Sequence, residues 1–348
     1  MQEQFMKKAA VYWALFFLIA MSSMSILIIN RDRFVMIETK KAANTEGDEP
    51  MALQVHDIVL VPLENDPTNQ FFCIPVSVDV TEEGFFVENN YLERKVMIEI
   101  DGLDIDFYQN NQLFGNSKDI NKIEYSFKSN KTYLTLTMND YYECEVLFKN
   151  KCLFLKFEHP KEKYNKRVLI DLGTGNQDAD VSIIVADLIK NMLGDDVKVY
   201  YSRLNEATPE KQSVAAFAEE INPDMVILIQ MNKVDKKEQT GLSYEFNEQY
   251  FIPFLGNTEL TELLINNVSQ STGQETINVT QTLQDGEGAD ESLLTMLKCP
   301  ATMIQMNYAT KGELEQMIEE ASYLNNLAKG ITEAIKEGYK ILDMQEKK

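Results

Sequence analysis

Val168–Gln177 reads VLIDLGTGNQ. Three apolar residues, Val168, Leu169 and Ile170, run into Asp171, and Gly173 and Gly175 then flank Thr174. A short apolar run closed by a glycine turn is the pattern of a buried strand whose backbone comes close to whatever lies above the sheet edge. A helical pattern follows at once, and the chain then repeats strand and helix. This predicts an α/β domain over residues 164–345, with a mostly parallel sheet flanked by helices. In open sheets of this kind ligands bind in the crevice beyond the strand ends. The turn after Asp171 is therefore the first place to look for a site.

C-terminal to this stretch, strands are expected at Val168–Leu172, Val197–Ser202, Met225–Ile229, Leu242–Phe246 and Thr302–Asn307. Helices are expected at Asp180–Leu193, Pro209–Ile221, Leu260–Gln270 and Glu313–Leu342. The first carries Ile183, Ile184, Leu188, Ile189 and Met192 as a stripe, and the last carries Leu314, Met317, Leu324, Ala328, Ile331 and Ile335. Such stripes face a core and need no role in a site. Gly330 and Gly338 interrupt the final helix, each at a cost of about 1 kcal/mol against alanine.

N-terminal to it, residues 55–160 read as a small all-β module. RKVMIEID alternates, with Val96, Ile98 and Ile100 on one face, and Leu103, Ile105 and Phe107 continue the alternation after Gly102. KTYLTLTM supplies another strand, and CEVLFKNKCLFLKF a hairpin with Lys149–Asn150 as its turn. That turn would set Cys144 against Leu155 and Cys152 against Leu147, so the two thiols are not partners. With Cys73 and Cys299 the chain has four cysteines and no CxxC, and no structural disulfide is expected. Residues 30–54 are polar and periodless, as a linker is. Ala9–Ile29 carries no charge. As a helix it would be about 30 Å long, the thickness of a bilayer's hydrocarbon core. It is read as an uncleaved single-span anchor, with residues 1–8 cytoplasmic and the bulk of the chain outside the cell membrane.

The net charge is −22 with a pI near 4.6. Before Val55 the basic residues Lys7, Lys8, Arg31, Arg33, Lys40 and Lys41 are matched by Glu3, Asp32, Glu38, Glu46, Asp48 and Glu49, so the whole excess lies beyond it. A surface this acidic repels phosphate backbones, which argues against nucleic acid as a partner.

The turn DLGTGN has some likeness to the glycine-rich turn of class I methyltransferases that bind S-adenosylmethionine. It lacks their third glycine, since Asn176 and Gln177 stand there, and VKVYYSR offers no acid to hold a ribose. A second likeness uses more of the chain. YNKRVLIDLGTG (Tyr164–Gly175), Ser202-Arg203, DMVILIQMN (Asp224–Asn232), Gly241 and PATMIQMNY (Pro300–Tyr308) fall in an order and spacing that resemble the zinc-dependent N-acetylmuramoyl-L-alanine amidases of bacterial peptidoglycan. The resemblance implies a turn of the form Asp-x-Gly-His-Gly, a zinc Glu on the next helix, a Ser-Ile-His-x-Asn strand end and a late catalytic Glu.

Against that pattern this chain has Thr174 for the first histidine, Asp178 for the zinc Glu, Gln230 for the second histidine and Gln305 for the catalytic Glu. Zinc takes imidazole, carboxylate or thiolate, and neutral oxygens are poor substitutes. No histidine follows His159, and Gln305 cannot take a proton from an attacking water. Cys299 has no imidazole in the domain to activate it. Asp178, Asp180 and Asp187 are read as helix N-terminal acids, and Asp285–Glu291 as a solvated acidic loop with no EF-hand spacing. The expectation is an amidase-like protein with no catalytic residue and no zinc or other cofactor. It would bind peptidoglycan or a cell-envelope protein through the pocket of Thr174, Asp178, Gln230 and Gln305. An active amidase with an atypical site is the first alternative, and an S-adenosylmethionine-dependent methyltransferase is the second.

Overall fold

Alternation builds the first half of the molecule. Its strands are Phe71–Pro75 (β1), Phe85–Asn90 (β2), Lys95–Asp101 (β3), Phe114–Gly115 (β4), Ile120–Lys128 (β5), Lys131–Met138 (β6), Glu143–Lys149 (β7) and Cys152–Glu158 (β8). In β3, Val96, Ile98 and Ile100 are buried while Met97 and Asp101 are exposed, the period-2 pattern of a strand with one covered face. Two antiparallel sheets result, ordered β4-β1-β8-β7 and β2-β3-β6-β5. They share one core that includes Phe72, Ile74, Ile98, Leu134 and Leu153. Two expectations fail here. Phe107 does not continue a strand but opens a short helix, Phe107–Asn110 (α1). In the β7–β8 hairpin, Lys149 pairs with Cys152, so the turn is Asn150–Lys151 and Cys144 lies opposite Phe157. Asn150 and Lys151 have φ of 51° and 60°, the two left-handed residues of a type I′ turn, whose twist suits a tight hairpin. None of the four cysteines is in a disulfide.

The structure, a computed structural model, describes residues 71–345 apart from 103–106, 116–117, 174–180, 204–207, 249, 252–254 and 283–291. The span Ala9–Ile29 with its tail and linker, Thr174, Asp178, Asp180 and the loop Asp285–Glu291 lie outside the described residues. Among the described residues no helix is long and apolar enough to cross a membrane.

A short helix, Pro160–Lys163 (α2), leads into the second half. Its strands are Arg167–Asp171 (β9), Lys198–Tyr201 (β10), Met225–Lys233 (β11), Gly241–Asn247 (β12), Tyr250–Phe251 (β13), Leu255–Gly256 (β14), Thr276–Thr282 (β15) and Ala301–Tyr308 (β16). Its helices are Val181–Leu193 (α3), Lys211–Ile221 (α4), Asn257–Thr272 (α5), Leu293–Met296 (α6), Lys311–Glu319 (α7) and Ala321–Gln345 (α8). Six strands form one sheet in the order β10-β9-β11-β16-β12-β15. The first four are parallel, and β12 with β15 runs opposite to them. Every residue of β9 is buried, and Val168–Ile170 form the short apolar run expected of a strand covered on both faces.

One face of the sheet packs Val168, Ile170, Ile227 and Ile304 against α3, α5 and α8. The other packs Leu169, Val226 and Leu228 against α4, α6 and Tyr141 of the first half. At the start of β9, Arg167 is buried and donates from Nε to the carbonyls of Ile221 and Asn222 at 3.0 and 3.1 Å. Its backbone N–H donates to Asp224 Oδ2 at 2.7 Å.

Three further readings are corrected by the structure. Glu313–Leu342 is not one helix, since the chain leaves helical backbone at Glu320 and restarts. Gly330 and Gly338 are close-approach positions rather than mere interruptions. A Cβ on Gly330 would lie 2.6 Å from Val268 Cα, and one on Gly338 would lie 2.8 Å from Met225 Sδ. Finally, β15 has no counterpart among the expected strands, because its residues are exposed and show no apolar run.

Candidate functional site at the switch point of the sheet

From β9 the chain crosses to β10 on one side, then returns to lay β11 on the other. Strand order reverses at this point, which opens a crevice beyond the carboxyl ends of β9 and β11. Gly173 has φ +55°, and a Cβ there would lie 2.8 Å from Gln230 Cγ, so the turn packs directly on the Gln230 side chain.

A buried polar group fixes that turn from below. The Asp171 carboxylate, 4 % exposed, accepts from the Ser202 hydroxyl and the Gly173 N–H. Burial pushes its carboxyl above the usual range, while those hydrogen bonds and the nearby Arg203 guanidinium pull it back. Ser202 Oγ accepts from the Leu172 N–H at 3.1 Å. Arg203, itself buried, donates from Nε to the Gly173 carbonyl at 3.1 Å and from Nη2 to the Leu172 carbonyl at 2.9 Å. Three side chains thus hold two residues of backbone.

Gln230 and Gln305 are neighbours in register on β11 and β16, and both are half-buried. Two residues further on, Asn232 and Asn307 are also neighbours, with Asn232 Nδ2 donating to Asn307 Oδ1 at 2.8 Å. Asn307 Nδ2 donates to Ser243 Oγ at 2.8 Å, and Ser243 Oγ donates to Gln305 Oε1 at 3.1 Å. Gln305 Nε2 lies 3.3 Å from Met303 Sδ. The strip is neutral, and hydrogen bonds run through Asn232, Asn307, Ser243 and Gln305. Sequence reading singled out Gln230 and Gln305 but missed Ser243, Asn232 and Asn307. A signal for the asparagines was available, because the tetrapeptide IQMN occurs at both Ile229–Asn232 and Ile304–Asn307. The two copies lie side by side, residue against residue. Asn307 also lines a cavity of about 410 Å³ with Gly241, Tyr308, Glu313, Met317 and Tyr323.

The remaining candidates fall elsewhere. Asp187 is not at a helix N-terminus; it lies inside α3, where burial raises its carboxyl and Tyr201 hydrogen-bonds to it. Cys299 precedes β16, and burial pushes its thiol up to about 12. His159 precedes α2, with its ring against Tyr142 at 4.6 Å.

Fold and crevice define an open-sheet α/β domain with its site at the switch point. Residues 169–337 match the family model of N-acetylmuramoyl-L-alanine amidase, and this stretch is a domain of that family. Among solved structures, the amidase AmiC2 of Nostoc punctiforme shares 19 % identity over 50 % of this chain and 97 % of its own, with a TM-score of 0.42. The catalytic domain of CwlV, an amidase from Bacillus (Paenibacillus) polymyxa var. colistinus, shares 16 % over 51 % and 99 %, with a TM-score of 0.43. An amidase from Clostridium difficile 630 shares 18 % over 50 % and 97 %, with a TM-score of 0.41. No curated protein sequence matches the chain. The match falls to the amidase resemblance and not to the methyltransferase one.

The zinc implied by that family can be tested against the residues described. Gln230 and Gln305 present uncharged amides, and both polar atoms of Gln305 are already engaged by Ser243 and Met303. Zinc draws on imidazole, carboxylate and thiolate donors. These two residues do not fit it.

Proposed function

We propose that the amidase-like domain is a binding module without catalysis or zinc, held on the outer side of the cell membrane by Ala9–Ile29. In this reading the crevice between Gly173, Gln230 and Gln305 receives a neutral portion of peptidoglycan, or a cell-envelope protein that presents similar amide groups. The paired IQMN strip carries the reading. Amides both donate and accept, so a row of them suits other amides and hydroxyls without demanding charge. A row without carboxylate or imidazole has no group to activate water.

The test uses the full chain. Retention on purified cell wall is compared for the unsubstituted protein, Gln230→Trp and Gln305→Trp, with metal content and muropeptide release measured alongside. The reading expects no zinc, no release and loss of retention in both variants. Stoichiometric zinc with cleavage would establish the alternative, an active amidase with an atypical site. Unchanged retention in both variants would remove the crevice from binding.

A further inference from the structure

Among the described residues β15 ends the six-stranded sheet and pairs with β12 alone. Ile277 through Gln281 are all exposed, and no strand among the described residues pairs with the outer edge. Ile277 and Val279, on one face, are 43 % and 45 % exposed. A strand edge presents unpaired N–H and C=O groups to any other strand. Proteins usually guard such edges with lysine, proline, a bulge or a covering element. TINVTQT has no charged residue and no proline, and the irregularity in its pairing falls at its start, beside Leu242 and Ser243. The chain as a whole carries −22. Two copies repel one another over most of their surfaces, and this uncharged strip is a place where they can meet.

We infer that β15 is a self-association edge on which a second copy of this chain lays its own β15 antiparallel, about a two-fold axis through Val279. The sequence is self-complementary in that register. Val279 meets Val279, Ile277 meets Gln281, Asn278 meets Thr280 and Thr276 meets Thr282. One face then gathers two valines and two isoleucines, and the other sets asparagine against threonine. Asn278 Nδ2 already donates to Thr280 Oγ1 at 2.9 Å within one strand. A one-residue slip would put Val279 against Asn278 and turn the apolar set to the opposite face. Both copies use the same patch, so the assembly closes at two. One strand pair buries less than the ~1,600 Å² of a standard interface, so the dimer is weak. Because like charge opposes it, association strengthens with salt as the screening length falls from ~10 Å at 0.1 M.

The axis position gives a direct test in the full chain. Residues facing across an antiparallel pair have Cα atoms about 4.5–5.5 Å apart, within disulfide reach. Val279→Cys is expected to form a disulfide-linked dimer on mild oxidation. Ile277→Cys lies four residues out of register with its own copy, about 13 Å along the strand, and is expected not to link. The unsubstituted chain, with Cys73, Cys144, Cys152 and Cys299, is the blank. Sedimentation of the chain without these cysteines added should show concentration-dependent dimer that Val279→Lys abolishes. Linking of Val279→Cys no greater than the blank overturns the inference. So does equal linking of Ile277→Cys, disulfide capture of a different protein, or an unsubstituted chain that stays monomeric as salt is raised.

Discussion

Gly173 is the residue at which one added methyl would disturb the site most directly. Its left-handed φ of +55° already disfavours a side chain, and the Cβ would press on Gln230 Cγ at 2.8 Å. Gly173→Ala is expected to cost about 1–2 kcal/mol, since strain of this kind is worth about that much. Urea unfolding would measure the loss, and wall retention should fall with it because Gln230 must move. Asp171, beneath the turn, carries a pH signature. Burial raises its carboxyl, so the native state holds the proton to higher pH than the unfolded chain does. Its contribution to stability is then full below the unfolded carboxylate value of ~3.9 and lost as pH rises through the native value. The difference in urea midpoint between the unsubstituted chain and Asp171→Asn should therefore move against the unsubstituted chain as pH rises through that window. A difference that stays flat would show that Ser202, Gly173 and Arg203 offset burial completely. At this scale much was legible. Gln230 and Gln305 were both named from the sequence, and they lie side by side within the adjacent parallel strands β11 and β16, past the last pairing of β11 with β9. Ser243 was not legible, because it enters from an antiparallel strand whose register with β16 no local pattern encodes.

Two glycines show how an element's neighbours reverse a rule of propensity. By helix propensity alone, glycine to alanine within a helix gains about 1 kcal/mol. At Gly312, in the first turn of α7, nothing lies within 4 Å of the added carbon, and Gly312→Ala is expected to raise the melting temperature. At Gly330 the same carbon meets backbone of α5, Val268 Cα at 2.6 Å and Asn267 O at 2.9 Å. Backbone cannot rotate aside as a side-chain tip can, so Gly330→Ala is expected to lower the melting temperature by an overpacking cost of about 1–3 kcal/mol. Opposite signs in paired thermal melts would bear this out, and equal signs would not. The contrast also explains which elements the sequence could reveal. β9, β11 and β16 are buried on both faces and read as apolar runs; α3, α4 and α5 bury one face and read as stripes. β15 does neither, and its strand state follows from pairing with β12 rather than from burial. The hairpin register missed because the choice between Lys149–Asn150 and Asn150–Lys151 rests on two left-handed residues, which asparagine and lysine do not announce as glycine would.

The two halves of the described molecule join through chemistry that the notion of a spacer followed by a domain does not contain. Glu143 of β7, 3 % exposed, accepts from Tyr91 Oη at 2.9 Å, Tyr200 Oη at 2.8 Å and Lys198 Nζ at 2.8 Å. Tyr91 and Glu143 belong to the β half, and Lys198 and Tyr200 to β10 of the α/β half. Lys198 Nζ also sits 5.0–5.6 Å from the ring centres of Tyr91, Tyr164 and Tyr200. Burial pushes the Lys198 amine down, and Glu143 draws it back up. Beside this pair, Tyr91 stacks on Phe217 of α4 at 5.8 Å, and Tyr141 lies 5.3 Å from the same ring. A buried ion pair contributes little net when intact, but removing one partner strands the other, at about 3–5 kcal/mol. Glu143→Gln is therefore expected to destabilise the whole described unit by that order, and calorimetry of the full chain should show both halves losing stability together. Lys198→Met on top of Glu143→Gln removes the stranded charge and should recover a large part of the loss, a coupling that the double-mutant cycle isolates. If the double variant is no more stable than Glu143→Gln, the aromatic packing on Phe217 holds the halves together and the charge pair does not. If Glu143→Gln instead separates the unfolding into two independent transitions, the β half is an autonomous module that the ion pair merely docks.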